Sequence, residues 1–286
     1  MHLSGSTQPF AVLGHPIGHT LSPIMHNRSF QSLGLDAIYL ALDVHPDRLM
    51  GVLPAMGDMG FRGVNLTVPL KEVAFRGLSR LDESARRLGA VNTVQFTAEG
   101  LVGHNTDGHG FLAALSEAFD LTPEGRSVFV LGCGGAGRAV AITCAAAGAR
   151  EVVLTDMDEN RPSRVAEEIA ALAPGVRTRA VPPVPASWAM ASRAADLVVQ
   201  CTPVGMKAAD PSPLPADAFR AGQAAFDLVY MYPKTGFMRA ALEGGARAAN
   251  GLGMLLHQGA RSFEIWTGRK ADTAAMRSAL EGAVYG

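Results

Sequence analysis

The stretch "SVFVLGCGGAGRAVAITCAAAG", residues 127–148, leaves few folds open. A short apolar run, 127–131, meets Gly132-x-Gly134-x-x-Gly137, and an alanine-rich segment then runs to Gly148. An apolar run bounded by glycine suits a strand buried on both faces, and the segment after it suits a buried helix. A glycine turn between such a strand and such a helix is the phosphate-binding corner of a doubly wound domain. Gly132 permits the tight turn, Gly134 lets a pyrophosphate come close, and Gly137 lets helix pack on strand. Cys133, Gly135 and Ala136 complete the turn, and the helix N-terminus offers N–H groups and positive dipole. In a chain with 32 glycines the spacing alone is weak evidence. The strand before it and the helix after it carry the reading against that of a glycine turn without a ligand.

The same alternation continues downstream. "EVVLTD" (151–156) reads as the next strand, "PSRVAEEIAAL" (162–172) as a helix, and "ADLVVQCT" (195–202) and "AAFDLVY" (224–230) as further strands. The proline clusters "VPPVPAS" (181–187) and "PSPLP" (211–215) read as loops. Asp156 ends the second strand near the spacing expected of a ribose-binding acid. A carboxylate there suits the two ribose hydroxyls of NAD and repels the 2′-phosphate of NADP. Met157 and Asp158 follow it, and Arg161 is the nearest cation. The expected cofactor is therefore NAD in preference to NADP, the alternative being that Asp156 caps the next helix.

At 286 residues the chain has room for a second domain ahead of this one. Its first hundred residues also alternate: "FAVLG" (10–14), "AIYLALDV" (37–44), "GVNLTV" (63–68) and "AVNTVQF" (90–96) read as strands, and "PIMHNRSFQSLG" (23–34) as a helix. The expected class is α/β, with an N-terminal α/β substrate domain over 1–107 and a Rossmann-like dinucleotide domain over 108–250. "LGMLLHQGARSFEIWTG" (252–268) has helical spacing, and residues 251–286 are expected to return to the first domain.

Charge excludes some partners. Lys and Arg number 25 against 26 for Asp and Glu, so no basic footprint for nucleic acid or membrane exists. The longest apolar run, 139–149, is short of the roughly 20 residues a membrane span needs. The N-terminus "MHLSGSTQPF" has no charged n-region and no apolar h-region, so no secretory leader is expected. Cys133, Cys144 and Cys201 form no CxxC pair, which fits a reducing, cytoplasmic setting with buried thiols. His15, His19, His26, His104 and His109 have no metal-ligand spacing, so no metal is expected.

"GVNLTVPLKE" (63–72) asks for an explanation of Lys71. Val64, Leu66 and Val68 alternate as in a half-buried strand, Asn65 and Thr67 share the other face, and Pro69 stops it. A lone lysine at a strand exit is ordinarily solvated. Three more polar clusters interrupt apolar surroundings: Thr20 and Ser22 in "GHPIGHTLSPIMHN", Asn92 in "GAVNTV", and Asn105, Thr106 and Asp107 in the loop "GHNTDGHGF". Singly, Ser22 reads as an N-cap and Asn92 and Asp107 as turn formers. Together with Lys71 these hydroxyls, amides and carboxylates suit a small polyhydroxylated ligand.

These motifs, in this order with "GCGGAG", "CTPVGM", "DLVYMYP" and "NGLGMLLHQGARSFEIWTG", resemble the shikimate dehydrogenases, including their quinate/shikimate branch. The resemblance covers nearly the whole chain. It implies a reversible oxidoreductase that interconverts a ring alcohol and ketone, shikimate and 3-dehydroshikimate or quinate and 3-dehydroquinate, with a nicotinamide cofactor. It makes Lys71 and Asp107 the catalytic pair. It sets Thr20, Ser22, Asn65, Thr67, Asn92, Gln258 and Tyr230 at the substrate, and Thr202, Leu228 and Gly251 along the cofactor. Two departures stand out. Thr20 replaces the first of two serines, and Asp156-Met157-Asp158 stands where NADP-using members carry Asn-Arg-Thr. The partner is then a small cyclic hydroxy acid, and the chain a monomer or homodimer. An aminoshikimate-type dehydrogenase and a non-catalytic dinucleotide sensor are the other readings.

Overall fold

The computed structural model describes residues 3–286. The expectation about a leader begins at Met1 and His2, which lie outside the described residues. Two compact units are present: residues up to Gly110 together with Leu255–Gly286, and Phe111–Met254. The divisions fall a few residues from the expected 107/108 and 250/251 because each lies inside a helix, where sequence has no loop to mark it.

The first unit begins with β1 (Gln8–Gly14), α1 (Ser22–Ser32), β2 (Ala37–Asp43), α2 (Leu49–Asp58), β3 (Gly63–Leu66) and α3 (Leu70–Gly77). It continues through α4 (Glu83–Leu88), β4 (Thr93–Thr97), β5 (Gly100–His104) and the start of α5 (Asp107–Phe119). Its five strands are ordered β2-β1-β3-β4-β5. β2, β1 and β3 are parallel, while β4 and β5 are antiparallel additions. β1 is buried on both faces, which is why "FAVL" is a continuous apolar run rather than an alternation. Phe10 and Val12 join Phe30, Tyr39 and Phe263 on one side; Ala11 and Leu13 join Leu49, Leu53, Val64 and Leu66 on the other.

This register gathers the polar motifs at one end of the sheet. Asn65 of β3 lies opposite Thr93 of β4, and Thr93 lies opposite His104 of β5. The carboxyl ends of β1, β3 and β5 and the amino end of β4 therefore coincide. Thr20 and Ser22 follow β1, Lys71 follows β3, Asn92 precedes β4, and Asp107 follows β5.

Four local expectations are corrected. β3 stops at Leu66, Val68 is 72% exposed, and Lys71 stands in the first turn of α3 rather than at a strand exit. Ser22 is the first residue of α1 and not its cap; Leu21 caps without a side-chain bond. β4 starts at Thr93, leaving Asn92 just outside it. Asp107 opens α5 instead of lying in a loop, because the Asn105 carboxamide accepts a hydrogen bond from its N–H at 2.9 Å.

The second unit contains β6 (Ser127–Leu131), α6 (Gly135–Ala146), β7 (Glu151–Thr155), α7 (Asn160–Leu172), β8 (Arg177–Ala180), α8 (Pro185–Ala194) and β9 (Leu197–Gln200). β10 (Ala224–Asp227), α9 (Gly236–Glu243) and β11 (Arg247–Asn250) complete it. α10 (Leu252–Thr267) leads back to the first unit, which α11 (Thr273–Val284) ends. The six strands, all parallel, are ordered β11-β10-β9-β6-β7-β8. Counted from β6 this is the 3-2-1-4-5-6 order of a dinucleotide-binding sheet, whose switch point lies between β6 and β9. Part of "VPPVPAS" is helical, since Pro185 opens α8. β8 and β11 were not legible: "RTRA" and "RAAN" are edge strands with few buried side chains.

Among the described residues no helix is long and apolar enough to cross a membrane. Among them too, no cluster of His, Cys, Asp or Glu could hold a metal ion.

Candidate active site

In the first unit the ammonium of Lys71 donates to Asp107 Oδ2 at 2.7 Å. Their side chains are 29% and 15% exposed, so the pair is shielded but reachable. Lys71 is held by its place in α3, where its carbonyl accepts from Val91 N–H at 3.0 Å. Asp107 is held by Asn105, whose amide also donates to Ala90 O at 2.9 Å.

The other carboxylate oxygen, Asp107 Oδ1, accepts from Asn92 Nδ2 at 2.9 Å. The orientation of that amide follows from its neighbours. Thr106 N–H donates to Asn92 Oδ1 at 2.8 Å, and a backbone N–H can only donate, so the amide nitrogen must face Asp107. Gln258 of α10 brings its Oε1 within 3.4 Å of the same nitrogen. Lys71, Asn92, Asp107 and Gln258 thus come together from α3, the β4 entrance, α5 and α10.

Asn65 lies deeper. It is 6% exposed and every polar atom it has is taken by the protein. Tyr39 Oη donates to its Oδ1 at 2.6 Å, and its Nδ2 faces Asn92 O, Thr93 Oγ1 and Ser262 Oγ at 2.9–3.0 Å. Burial pushes the Tyr39 phenol well above its usual range, with the Ser22 hydroxyl beside it opposing this. The Thr20 and Ser22 hydroxyls lie 3.3 Å apart. Thr67 is half-buried just past β3, and its hydroxyl has no hydrogen-bond partner among the described residues.

The second unit shows why glycines are needed in the turn. Gly132 has φ +98°, a left-handed conformation that a side chain resists. A Cβ on Gly137 would lie 1.8 Å from Gly132 O, so helix and turn touch there. A side chain on Gly134 or Gly135 would meet no protein atom within 4 Å. Nothing in the protein's own packing asks for glycine at those two places, whereas a phosphate drawn to the N-terminus of α6 does. Thr202 stands against the same turn, its methyl 2.9 Å from where a Gly132 Cβ would be. Leu228 and Gly251 meet through backbone, with Leu228 O 2.2 Å from a Cβ on Gly251. Tyr230 belongs to this unit, half-buried past β10, and burial raises its phenol pKa. The turn, Thr202, Leu228 and Gly251 are the positions expected to lie along a dinucleotide.

Asp156 is not the free carboxylate expected. Its Oδ2 accepts from Cys133 N–H at 2.7 Å and its Oδ1 from Asp158 N–H at 2.9 Å. Arg161 lies 3.5 Å from Asp156 and 3.3 Å from Asp158, with its side chain half exposed. The three thiols are unpaired, and burial pushes Cys133 up to about 12.

Comparison with known proteins decides the family. Residues 12–94 match the shikimate dehydrogenase substrate binding domain, and 251–281 the shikimate 5′-dehydrogenase C-terminal domain. A Methanopyrus kandleri protein named shikimate dehydrogenase (NADP(+)) is 41% identical over 97% of this chain and 96% of its own length. The chain belongs to the shikimate dehydrogenase family. A Moorella thermoacetica relative of the same name is 43% identical over 99% of this chain and 96% of its own. The shikimate 5-dehydrogenase of Thermus thermophilus, solved with NADP(H) and shikimate, superposes with a TM-score of 0.84 at 42% identity, over 96% of this chain and 99% of that one.

These relatives overturn the expectation of NAD, since two carry NADP(+) in their names and the third was solved with NADP(H). The loop supplies a physical reason. Asp156 accepts from two backbone N–H groups, and Arg161, the nearest cation in the sequence, sits against both carboxylates of the loop.

Three further groups of this site escaped the sequence reading. Tyr39 and Thr93 lie inside "AIYLALDV" and "AVNTVQF", which read simply as strands. Ser262 was hidden in the apolar face of α10, its one trace being a hydroxyl between the inward-facing Gly259 and Phe263.

Proposed function

We propose that this protein oxidises shikimate to 3-dehydroshikimate reversibly with NADP, using Lys71 and Asp107 to move the proton. The observation that carries this is the 2.7 Å contact between an ammonium and a carboxylate in a shielded setting of hydroxyls and amides. Lys71 Nζ has three hydrogens, and Asp107 takes one. The others face the oxygen that gains or loses a proton. In oxidation the alcohol O–H passes its proton to Lys71 Nζ as Lys71 passes one of its own to the Asp107 carboxylate, while the C–H hydrogen leaves with both bonding electrons; in reduction the protons move the other way. The nicotinamide, when bound, accepts or supplies that hydride.

The remaining residues orient the ring. The Thr20 and Ser22 hydroxyls donate to its carboxylate, and Thr67 and Gln258 bond its hydroxyls. Asn92 gives its amide hydrogens to Asp107 and Thr106 and so sets the Asp107 carboxylate toward the ring, and Asn65 supports Asn92 from behind. Gly132, Cys133, Gly134, Gly135, Ala136 and Gly137 hold the pyrophosphate at the start of α6, and Arg161 meets the 2′-phosphate. Thr202, Leu228 and Gly251 line the rest of the dinucleotide.

Initial rates with shikimate, quinate and aminoshikimate, each with NADP+ and NAD+, test this reading. Shikimate with NADP+ is expected to give the highest kcat/KM. A preference for aminoshikimate would assign the chain to the secondary-pathway branch. No turnover of any ring substrate would leave a dinucleotide sensor.

A further inference from the structure

Three fully buried hydroxyls stand behind the catalytic pair: Thr93, Thr106 and Ser262, each 0–1% exposed. Valine has the shape of Thr93, and alanine would fit at Ser262, so packing alone does not ask for oxygen there. Burying an oxygen without a partner is costly, and these are instead joined to one another. Ser262 Oγ lies 2.8 Å from Thr93 Oγ1 and 3.2 Å from Thr106 Oγ1. It also accepts from Asn65 Nδ2 at 2.9 Å and reaches Gln258 O at 3.1 Å.

Counting protons gives the cluster a direction. Thr93 has one hydroxyl proton, and the group that needs it is Asn92 Oδ1, 2.9 Å away. Asn65 Nδ2, 3.0 Å from Thr93 Oγ1, can only donate to it. Ser262 Oγ, 2.8 Å from Thr93 Oγ1, has one proton to place between Thr93 and Gln258 O. Among these neighbours Asn92 Oδ1 is the one that can only accept, so Thr93 points its own proton there. Thr106 adds its N–H to Asn92 Oδ1 and accepts from Asn92 Nδ2 at 2.9 Å. A carboxamide that receives on one side and gives on the other cannot turn over. Asn92 is thereby fixed with its nitrogen on Asp107 Oδ1, the oxygen that Lys71 does not use.

We propose that the Thr93 and Ser262 hydroxyls are positioning groups for the reaction, holding Asn92 so that Asp107 stays aligned with Lys71. This rests on the reading that Lys71 and Asp107 move the proton. It ties the helix that carries Gln258 to the geometry of the pair through a side chain that touches neither substrate nor cofactor.

The test is steady-state kinetics with shikimate and NADP+, and a thermal melt, for five variants. Thr93→Val keeps the shape and removes the hydroxyl. It is expected to lower kcat about tenfold or more, since small misplacements at a reacting centre cost that much, with both KM values within twofold. Thr93→Ser restores the hydroxyl and is expected to recover kcat to within threefold. Ser262→Ala moves kcat the same way as Thr93→Val and stands in for it should that variant not fold. Phe263→Leu trims the neighbouring aromatic core, lowers Tm and leaves kcat alone. Thr93→Val and Ser262→Ala with kcat like that of Phe263→Leu, or Thr93→Ser as slow as Thr93→Val, would overturn the proposal. Lys71→Ala measured alongside separates the two claims. Full activity there removes the underlying reading, while lost activity there with unaffected Thr93→Val and Ser262→Ala removes only the positioning role.

Discussion

The corner around Lys71 and Asp107 and the turn from Gly132 to Gly137 show two ways to build a binding surface. The turn is one contiguous piece of chain, strand to glycine to helix, and it presents backbone N–H groups. Its shape depends on what is missing: a methyl at Gly137 would lie 1.8 Å from Gly132 O. The corner draws on β3, α3, the entrance to β4, α5 and α10, and it depends on what is present, a closed set of side-chain hydrogen bonds. The first is harmed by a side chain added at its glycines. The second hangs on single atoms of residues as far apart in the chain as Thr93 and Ser262.

The largest effect that would sharpen this contrast is at Gly137. Gly137→Ala is expected to raise the KM for NADP+ by about two orders of magnitude and lower Tm, because overpacking forces the turn to shift. Gly135→Ala, with no protein atom within 4 Å of its new methyl, should leave Tm unchanged and weaken NADP+ alone. Equal effects of the two on Tm would break the comparison. Next in size is Arg161→Ala. Removing the cation beside Asp156 and Asp158 is expected to raise the KM for NADP+ about tenfold and leave NAD+ little changed. An equal loss with both cofactors would show that Arg161 does not meet the 2′-phosphate.

The smallest effect is on pH, where the two units are expected to respond in opposite senses. His26 of α1 is fully buried, stacked on Tyr39 at 4.3 Å, with neither ring nitrogen hydrogen-bonded. Burial lowers its pKa from 6.5 to about 3. The folded form refuses a proton that the unfolded form takes, so stability is present above pH 6.5 and is lost as pH falls toward 3. Asp227, at the end of β10, is raised from 3.8 to about 6 by burial, against the bonds from Thr235, Val229 N–H and Gln200. Its contribution is full below pH 3.8 and is lost as pH rises through 6. Thermal melts between pH 4 and 8 check both. His26→Phe should flatten the acid side and Asp227→Asn the neutral side, each by a few degrees, at about 2–4 °C per kcal/mol. Slopes unchanged by either variant would contradict these assignments.

The contrast also explains what the sequence could tell. The glycine turn is local, and β6, its glycines and α6 announce themselves within 22 residues. The strand order around them follows from the βαβ alternation. Edge strands such as Arg177–Ala180 bury too little to leave a pattern. In the first unit the motif residues could be picked out as polar interruptions, but not how they meet. Nothing near Lys71 says that Pro69 leads into a helix. A serine on the inner face of α10 acquires its meaning only when 169 residues of chain bring Thr93 to it. The error over NAD has the same source. Asp156 was judged by its place in the chain, whereas its availability depends on Cys133 N–H and Arg161, groups that only folding brings to it.

The most direct test of the whole is the rate of Lys71→Ala and Asp107→Asn with saturating shikimate and NADP+, alongside equilibrium binding of shikimate. Proton transfer by a positioned side chain contributes about 10²–10⁴-fold, so kcat is expected to fall by about that factor in both variants while shikimate still binds. A kcat within threefold of the unaltered protein in either variant would contradict the account.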